Sequence, residues 1–326
     1  AGARQAGPGE FTKRAFLNGR MDLTQAEAVI DLIDAETAAA ARNAAAQLDG
    51  GLRRVLEPIQ ETLLEVTSRF YAVVDYPDED IGDVGPEELA AALREAEGAL
   101  GALLDTCRRG RVLKKGVRTA IVGRPNAGKS SLLNALAGYD RAIVTDIPGT
   151  TRDTVEESVL CGGVLLRLID TAGLRETEDA VEKLGVERSK AAIEGAELIL
   201  AVTDGAADFT QEDREALALA AASGKPWIWI MSQRDLTGPS ALWHTGWKGN
   251  APAACVSLSA RTGEGLDKLE QAVAALFPQP PRSEAGSMLT NARQAEAANR
   301  ARQAVRRGAA ALGAGTPPDA VVADVE

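Results

Sequence analysis

Histidine and cysteine are nearly missing from this chain: one histidine, His244, and three cysteines, Cys107, Cys161 and Cys255, far apart. That rules out a His/Cys cluster of metal-ligand spacing and a disulfide framework, and reduced, buried thiols are expected. Aromatic residues amount to only 4% against 45% hydrophobic, a balance that suits alanine-rich helices in a soluble protein. No apolar run approaches the about 18 residues needed to cross a bilayer, and the amino end, Ala1-Gly-Ala-Arg-Gln5, carries no signal-peptide core. A cytoplasmic protein with no membrane partner is therefore expected. Positive charge is also in deficit, Lys+Arg 36 against Asp+Glu 47, for a net −11. This argues against wholesale nucleic-acid binding but leaves room for a local basic patch. There is no initiating methionine, and the end at Asp324-Val-Glu326 falls inside an unfinished segment; truncation at both ends is expected.

What the sequence does contain centres on Gly123-Arg-Pro-Asn-Ala-Gly128-Lys129-Ser130-Ser131, between the apolar run Val117–Val122 and a helical pattern from Leu132. A strand running through Gly-x4-Gly-Lys-Ser into a helix is the layout of a phosphate-binding loop, whose glycines let backbone N–H groups converge on phosphate oxygens. The helix start adds a partial positive charge. Gly123, Asn126, Ala127, Gly128, Lys129, Ser130 and Ser131 are thus candidate nucleotide contacts. Lys129 is suited to the β/γ-phosphates and Ser130 to Mg²⁺, and the ligand should be a nucleoside triphosphate.

The chain divides around this loop. Residues 1–21 read as loop and turn, with breakers at Pro8-Gly9 and Asn18-Gly19. A helical pattern follows to about Asp75, with Leu52, Leu56, Ile59, Leu63, Val66, Phe70 and Val73 on one stripe and Pro58 expected to kink the helix or start a new segment. A second helix from Pro86 keeps the same spacing through Leu89, Leu93, Ala96, Leu100, Leu103 and Cys107. Arg108-Arg-Gly-Arg111 and Lys114-Lys115 form a basic joint, read either as an RNA or partner contact or as cations at a helix C-terminus followed by a solvated linker. Strands alternate with helices from Val117 to about Phe277, at 117–122, 154–161, 164–169, 197–203, 226–230 and 253–258; the pair around Cys161-Gly-Gly163 should form a hairpin. After Pro278-Gln-Pro-Pro281, helix resumes over 288–312 and should rejoin the first bundle. The expected architecture is an α/β P-loop domain, with a mostly parallel six-stranded sheet, inserted into an all-α helical bundle: 21–113 and 281–326 helical and 114–280 nucleotide-binding.

Three further stretches narrow the nucleotide. Asp170-Thr171-Ala172-Gly173 ends an apolar strand, where the aspartate can hold Mg²⁺ through water and the Gly173 N–H can meet a γ-phosphate. The segment Thr145-Asp-Ile-Pro-Gly-Thr150-Thr151-Arg-Asp153 reads as a switch loop. Asp235, in Ser232-Gln-Arg-Asp235, can accept hydrogen bonds from guanine N1 and N2 and rejects adenine. Ser232 and Gln233 stand where an Asn and a Lys commonly support that aspartate, so weaker or less exclusive guanine binding is expected. Ser259-Ala260-Arg261 should supply a backbone contact to the base. A GTPase fits all five stretches in order; an ATPase fits the first three.

Asn126 in the phosphate loop, the Gly-Thr-Thr-Arg-Asp switch, Asp170-Thr-Ala-Gly-Leu-Arg175 with Glu182 beyond, and Pro8-Gly-Glu-Phe-Thr-Lys-Arg-Ala-Phe-Leu-Asn-Gly19 together resemble the MnmE (TrmE) family of bacterial tRNA-modification GTPases, over essentially the whole chain. The resemblance implies a folate-binding domain ahead of a two-part helical domain with a G domain inserted. Residues 1–20 would then be the remnant of the folate domain, with Arg20 matching a folate contact. It implies K⁺ held by Asn126, Thr145, Ile147 and Thr150, Mg²⁺ by Ser130 and Thr151, and Glu182, Lys129 and Arg175 as catalytic candidates, Glu182 positioning the attacking water. It further implies a homodimer through G domains, an FAD-dependent partner, MnmG, a 5-formyl-tetrahydrofolate one-carbon donor, and installation of aminomethyl or carboxymethylaminomethyl groups on the wobble uridine of tRNA. A regulatory switch acting through partner binding, as in ribosome assembly, is the competing expectation; such relatives lack the flanking helical halves and the Pro8–Gly19 block.

Overall fold

The computed structural model describes residues 2–75, 86–139, 157–169, 182–236, 247, 249–316 and 321. Its first elements are α1 (Glu10–Leu17), α2 (Leu23–Ile33), α3 (Ala38–Leu48), α4 (Gly51–Asp75), α5 (Pro86–Asp105) and α6 (Cys107–Lys115). Then come β1 (Val117–Val122), α7 (Lys129–Tyr139), β2 (Glu157–Cys161), β3 (Val164–Ile169), α8 (Glu182–Gly195), β4 (Leu198–Asp204), α9 (Gln211–Ala222), β5 (Trp227–Ser232), β6 (Ala254–Ser257), α10 (Leu266–Leu276) and α11 (Ala292–Gly313). These form two compact units, Ala1–Lys114 with Pro280–Glu326, and Lys115–Gln279.

In the helical unit, local chemistry sets the helix starts. Asp22 and Gln25 form a reciprocal capping box on α2, with the Gln25 N–H donating to Asp22 at 2.8 Å and the Asp22 N–H to Gln25 at 2.9 Å. Thr37 caps α3 by accepting from the Ala40 N–H at 3.0 Å. Residues 1–21, expected as loop and turn, instead contain α1. The breakers bracket this helix: Gly9 takes the left-handed N-cap position at φ 68 and Asn18 the C-cap, while Glu10 pairs with Arg4 at 2.6 Å and Arg14 at 2.9 Å. Helix α4 runs through Pro58 as one element, so no new segment begins there. Leu52 before the proline and Ile59 after it are both buried, and that burial outweighs the one backbone bond that Pro58 cannot make.

The bundle core answers why the chain returns after the α/β unit. Ile59, Val66 and Phe70 of α4, Leu89, Leu93, Ala96 and Leu100 of α5, and Val305, Ala309 and Leu312 of α11 form one buried cluster. Phe70 is fully enclosed, a burial that contributes about 1.5–3 kcal/mol. Two stretches of sequence therefore close a single core, and the α/β unit is an insertion between them. Helix α11 starts at Ala292 rather than 288 because Met288 and Leu289 are buried in an extended lead-in, where the Met288 carbonyl accepts from Gln47 at 2.7 Å. The stripe expected to run unbroken to Cys107 is interrupted at Thr106, whose hydroxyl donates to Leu103 O at 2.6 Å and accepts from the Leu289 N–H at 3.1 Å.

The basic joint is helix α6, and two of its cations are used inside the unit. Lys114 pairs with Asp31 at 2.6 Å and also donates to Asn291, and Arg109 pairs with Glu284 at 3.1 Å. Gly110 of α6 lies so close to the 288–290 segment that a Cβ there would stand 2.1 Å from the Leu289 carbonyl oxygen. Only glycine permits that approach.

The inserted unit is a six-stranded sheet in the order β2-β3-β1-β4-β5-β6. β2 and β3 pair antiparallel, and the other neighbours are parallel. Five of its six strands thus point the same way, and the loops leaving their carboxyl ends gather on one edge, where α/β sheets bind ligands. The near-continuous burial of Leu198–Val202 and Trp227–Ile230 is what parallel strands covered on both faces require.

Candidate nucleotide site

The loop between β1 and α7 is built by three side chains and one glycine. Lys129, the first residue of α7, folds back over the loop and donates to the carbonyls of Gly123 at 2.8 Å and Arg124 at 2.7 Å. Burial, with the neighbouring Arg124 charge, lowers its pKa to about 8. Asn126 is exposed and sits at φ 60, the left-handed region that asparagine tolerates better than most residues. Gly128, at φ 95, faces Ser232 of β5, whose Oγ would lie 2.9 Å from an added Cβ.

Arg124 is the loop's anchor, and sequence reasoning missed it. Its Nε lies 3.2 Å from Asp213 and its Nη2 3.4 Å from Asp204, with all three side chains largely enclosed. Asp213, 1% exposed, also completes the capping box of α9, accepting from the Thr210 N–H at 3.0 Å. The box is legible in Thr210-Gln-Glu-Asp213; the pairing across the sheet edge to Arg124 is not. Arg124 in turn presents its carbonyl to Lys129, so carboxylates of β4 and α9 steady the charge meant for phosphate.

The second half of the site leaves the end of β5. Ser232, 3% exposed, donates to the Ala127 carbonyl at 2.6 Å and contacts the Thr203 carbonyl at 3.2 Å. The expected loss of a supporting amide is thus offset: a hydroxyl makes the tie between this strand and the phosphate loop. Gln233 turns the chain at φ 61. Asp235 follows in a short 3-10 turn. One carboxylate oxygen accepts from the Ser259 hydroxyl at 2.6 Å; the other accepts from Arg261 Nε at 2.9 Å and pairs with Nη2 at 2.7 Å. Ser259 and then Arg261 hold the Asp235 carboxyl below the usual carboxylate range. Ser259 is itself fixed, its N–H donating to Glu264 O at 2.8 Å. Ala260 lies between these two donors.

The structure therefore brings together Gly123, Asn126, Ala127, Gly128, Lys129, Ser130 and Ser131 on one loop and Asp235, Ser259, Ala260 and Arg261 beside it, joined through Ser232. Thr145, Ile147, Thr150, Thr151, Asp170, Thr171, Ala172, Gly173 and Arg175 lie outside the described residues. Glu182 opens α8. Arg20, in the helical unit, is exposed.

A Gly-Lys-Ser loop leaving the central region of a mostly parallel sheet, with the Asp235 carboxylate on the same edge, is the layout of a P-loop GTP hydrolase. The model of the MnmE helical domain matches residues 23–326. The tRNA modification GTPase MnmE of Lactobacillus delbrueckii subsp. bulgaricus is 46% identical over 328 residues, covering 99% of this chain and 69% of that protein. That of Latilactobacillus sakei subsp. sakei is 46% identical over 99% of this chain and 70% of its own, and that of Heliobacterium modesticaldum 42% identical over 100% and 71%. Among solved structures, the G domain of the T. maritima FeoB iron transporter is 27% identical over 49% of this chain and 97% of that one, with a TM-score of 0.35. The chain belongs to the MnmE family.

Proposed function

We propose that this chain hydrolyses GTP in the service of tRNA wobble-uridine modification, with K⁺ and paired G domains activating the reaction. The observation that carries the guanine reading is the Ser232 tie: the strand end that bonds the phosphate loop also delivers Asp235, so base recognition and phosphate recognition share one rigid edge. The relatives' shared name supports the tRNA assignment. The division into Ala1–Lys114 with Pro280–Glu326, and Lys115–Gln279, supports a helical domain of 21–113 and 281–326 around a G domain of 114–280, with 1–20 left from a folate-binding domain that includes Arg20.

Mg²⁺ fits the donors at the helix start. Ser130 stands at the first turn of α7 next to Lys129, and with Thr151 it would offer hard hydroxyl oxygens and leave the other positions to phosphate and water, the set this ion prefers. K⁺ fits the exposed amide of Asn126 at its left-handed turn, with Thr145, Ile147 and Thr150 completing the set. Bound there, the two ions would neutralise charge growing on the phosphoryl oxygens. The chain's own part is to orient: Lys129 meets the β/γ-phosphates, backbone N–H groups of 126–131 cradle them, Thr171, Ala172 and Gly173 with Asp170 sense the γ-phosphate, Glu182 positions water, and Arg175 is a further catalytic candidate. Asp235 selects guanine. MnmG, tRNA and 5-formyl-tetrahydrofolate are the partners and one-carbon source this reading requires, in the cytoplasm.

Phosphate release from GTP, compared in K⁺ and Na⁺ at equal ionic strength with ATP as control, tests the proposal. Stimulation by K⁺ alone supports it. Equal slow rates in both ions would remove the K⁺ step and favour a switch that acts through partner binding.

A further inference from the structure

The carboxylate that should read guanine is already engaged by a side chain of its own domain. A carboxylate offers about four acceptor positions, two on each oxygen. Arg261 donates to one oxygen of Asp235 through Nε at 2.9 Å, with Nη2 2.7 Å from the same oxygen, and the Ser259 hydroxyl donates to the other at 2.6 Å. Guanine presents two donors, N1–H and N2–H, for the two oxygens of such a carboxylate, and the guanidinium already stands against one of them. The two residues differ sharply in exposure, 76% for the Arg261 side chain and 13% for Asp235. Ser259 is fully buried. The serine is enclosed by the domain, and the arginine lies on its solvent side.

We propose that the Arg261 guanidinium is an internal competitor for the guanine edge, a gate that a guanine nucleotide must displace from Asp235 before its base can dock. This rests on the guanine reading above and adds a regulating residue to it. Guanidinium and the Watson–Crick side of guanine are both N–H donors to carboxylate oxygen, so the arginine occupies an oxygen that the base would need. An exposed pair of this kind is weak, which makes it displaceable: the arginine lowers guanine affinity without abolishing it, and it refills the carboxylate when the base leaves.

Equilibrium GDP binding to the full chain tests this, with wild type, Arg261→Ala and Arg261→Lys compared at low and high NaCl. Expected are GDP binding by wild type, binding about two- to fivefold tighter by Arg261→Ala, and an intermediate value for Arg261→Lys, which keeps charge but loses the paired donors. The advantage of Arg261→Ala should shrink toward one at about 1 M NaCl, where the Debye length falls to about 3 Å. Equal binding by wild type and Arg261→Ala overturns the proposal while leaving the guanine reading intact. Weaker binding by Arg261→Ala also overturns it and makes Arg261 a contact of the bound base. Failure of wild type to bind GDP at all overturns the guanine reading and the gate together. Tryptophan-fluorescence melting of each variant checks that the fold is unchanged.

Discussion

Asp213 carries two jobs at once, and its removal should expose both. Truncation by Asp213→Ala deletes the N3 carboxylate of the α9 capping box, worth about 1 kcal/mol, and breaks an ion pair in which the aspartate is 1% and Arg124 16% exposed. Breaking a buried pair costs about 3–5 kcal/mol, but Arg124 retains Asp204 at 3.4 Å, which pulls the total down to about 3 kcal/mol. For a domain of this size that is a fall in melting temperature of about 6–12 °C. All four tryptophans, Trp227, Trp229, Trp243 and Trp247, belong to the inserted unit, so intrinsic fluorescence of the full chain reports on it alone. Asp213→Asn separates the jobs, keeping an acceptor for the cap while removing the charge. A double-mutant cycle with Arg124→Met should show a coupling of about 2 kcal/mol. A shift under about 0.5 kcal/mol for Asp213→Ala, or additivity in the cycle, would refute the anchoring role.

Other outcomes follow from the same geometry. With the Lys129 pKa drawn down from 10.5 to about 8, the free site is neutral there above pH 8 while a bound polyphosphate restores the proton. Nucleotide affinity should then fall by up to about tenfold per pH unit above 8, with proton uptake seen by calorimetry in buffers of different ionisation enthalpy. The sign for stability is opposite: the unfolded chain binds the extra proton between pH 8 and 10.5, so this lysine's burial penalty is full below 8 and relieved as pH rises through that window. Ser232→Ala should weaken GDP binding and destabilise the inserted unit by about 1–3 kcal/mol, since the Ala127 carbonyl loses its hydroxyl donor; unchanged binding would break the link between base and phosphate recognition. Gly110→Ala should cost the helical unit about 1–3 kcal/mol and speed hydrogen exchange in α6 and the 288–290 segment. Cys161, pushed up to about 12 by burial with Glu270 nearby, should resist thiol reagents at pH 8 until the chain is denatured.

Patterns with a short period were legible in the sequence. The stripes of α4 and α5, the hairpin at Cys161-Gly-Gly163 and the loop after β1 depend on neighbours three, four or a few residues away, and the structure carries each of them. Helix α1 was hidden because Pro8-Gly9 and Asn18-Gly19 signal breaks without saying what lies between; the Glu10 pairings with Arg4 and Arg14 decide it. The contacts that were not legible span the chain: Arg124 with Asp213, Ser232 with Ala127, Lys114 with Asp31. A serine at 232 reads as a lost amide until the sheet register brings it under the phosphate loop.

The core shared by α4, α5 and α11 has a consequence for synthesis. Phe70 and Leu93 leave the ribosome long before Val305 and Leu312, the residues that cover them. At translation speeds of about 5–20 residues per second, the apolar faces of the early helices wait on the order of ten seconds or more, while the whole α/β insertion is made and can fold. The nascent bundle is then a natural client for a holdase, and a stall inside the insertion should leave an intermediate that binds hydrophobic dyes and aggregates, whereas release of the last helix closes it.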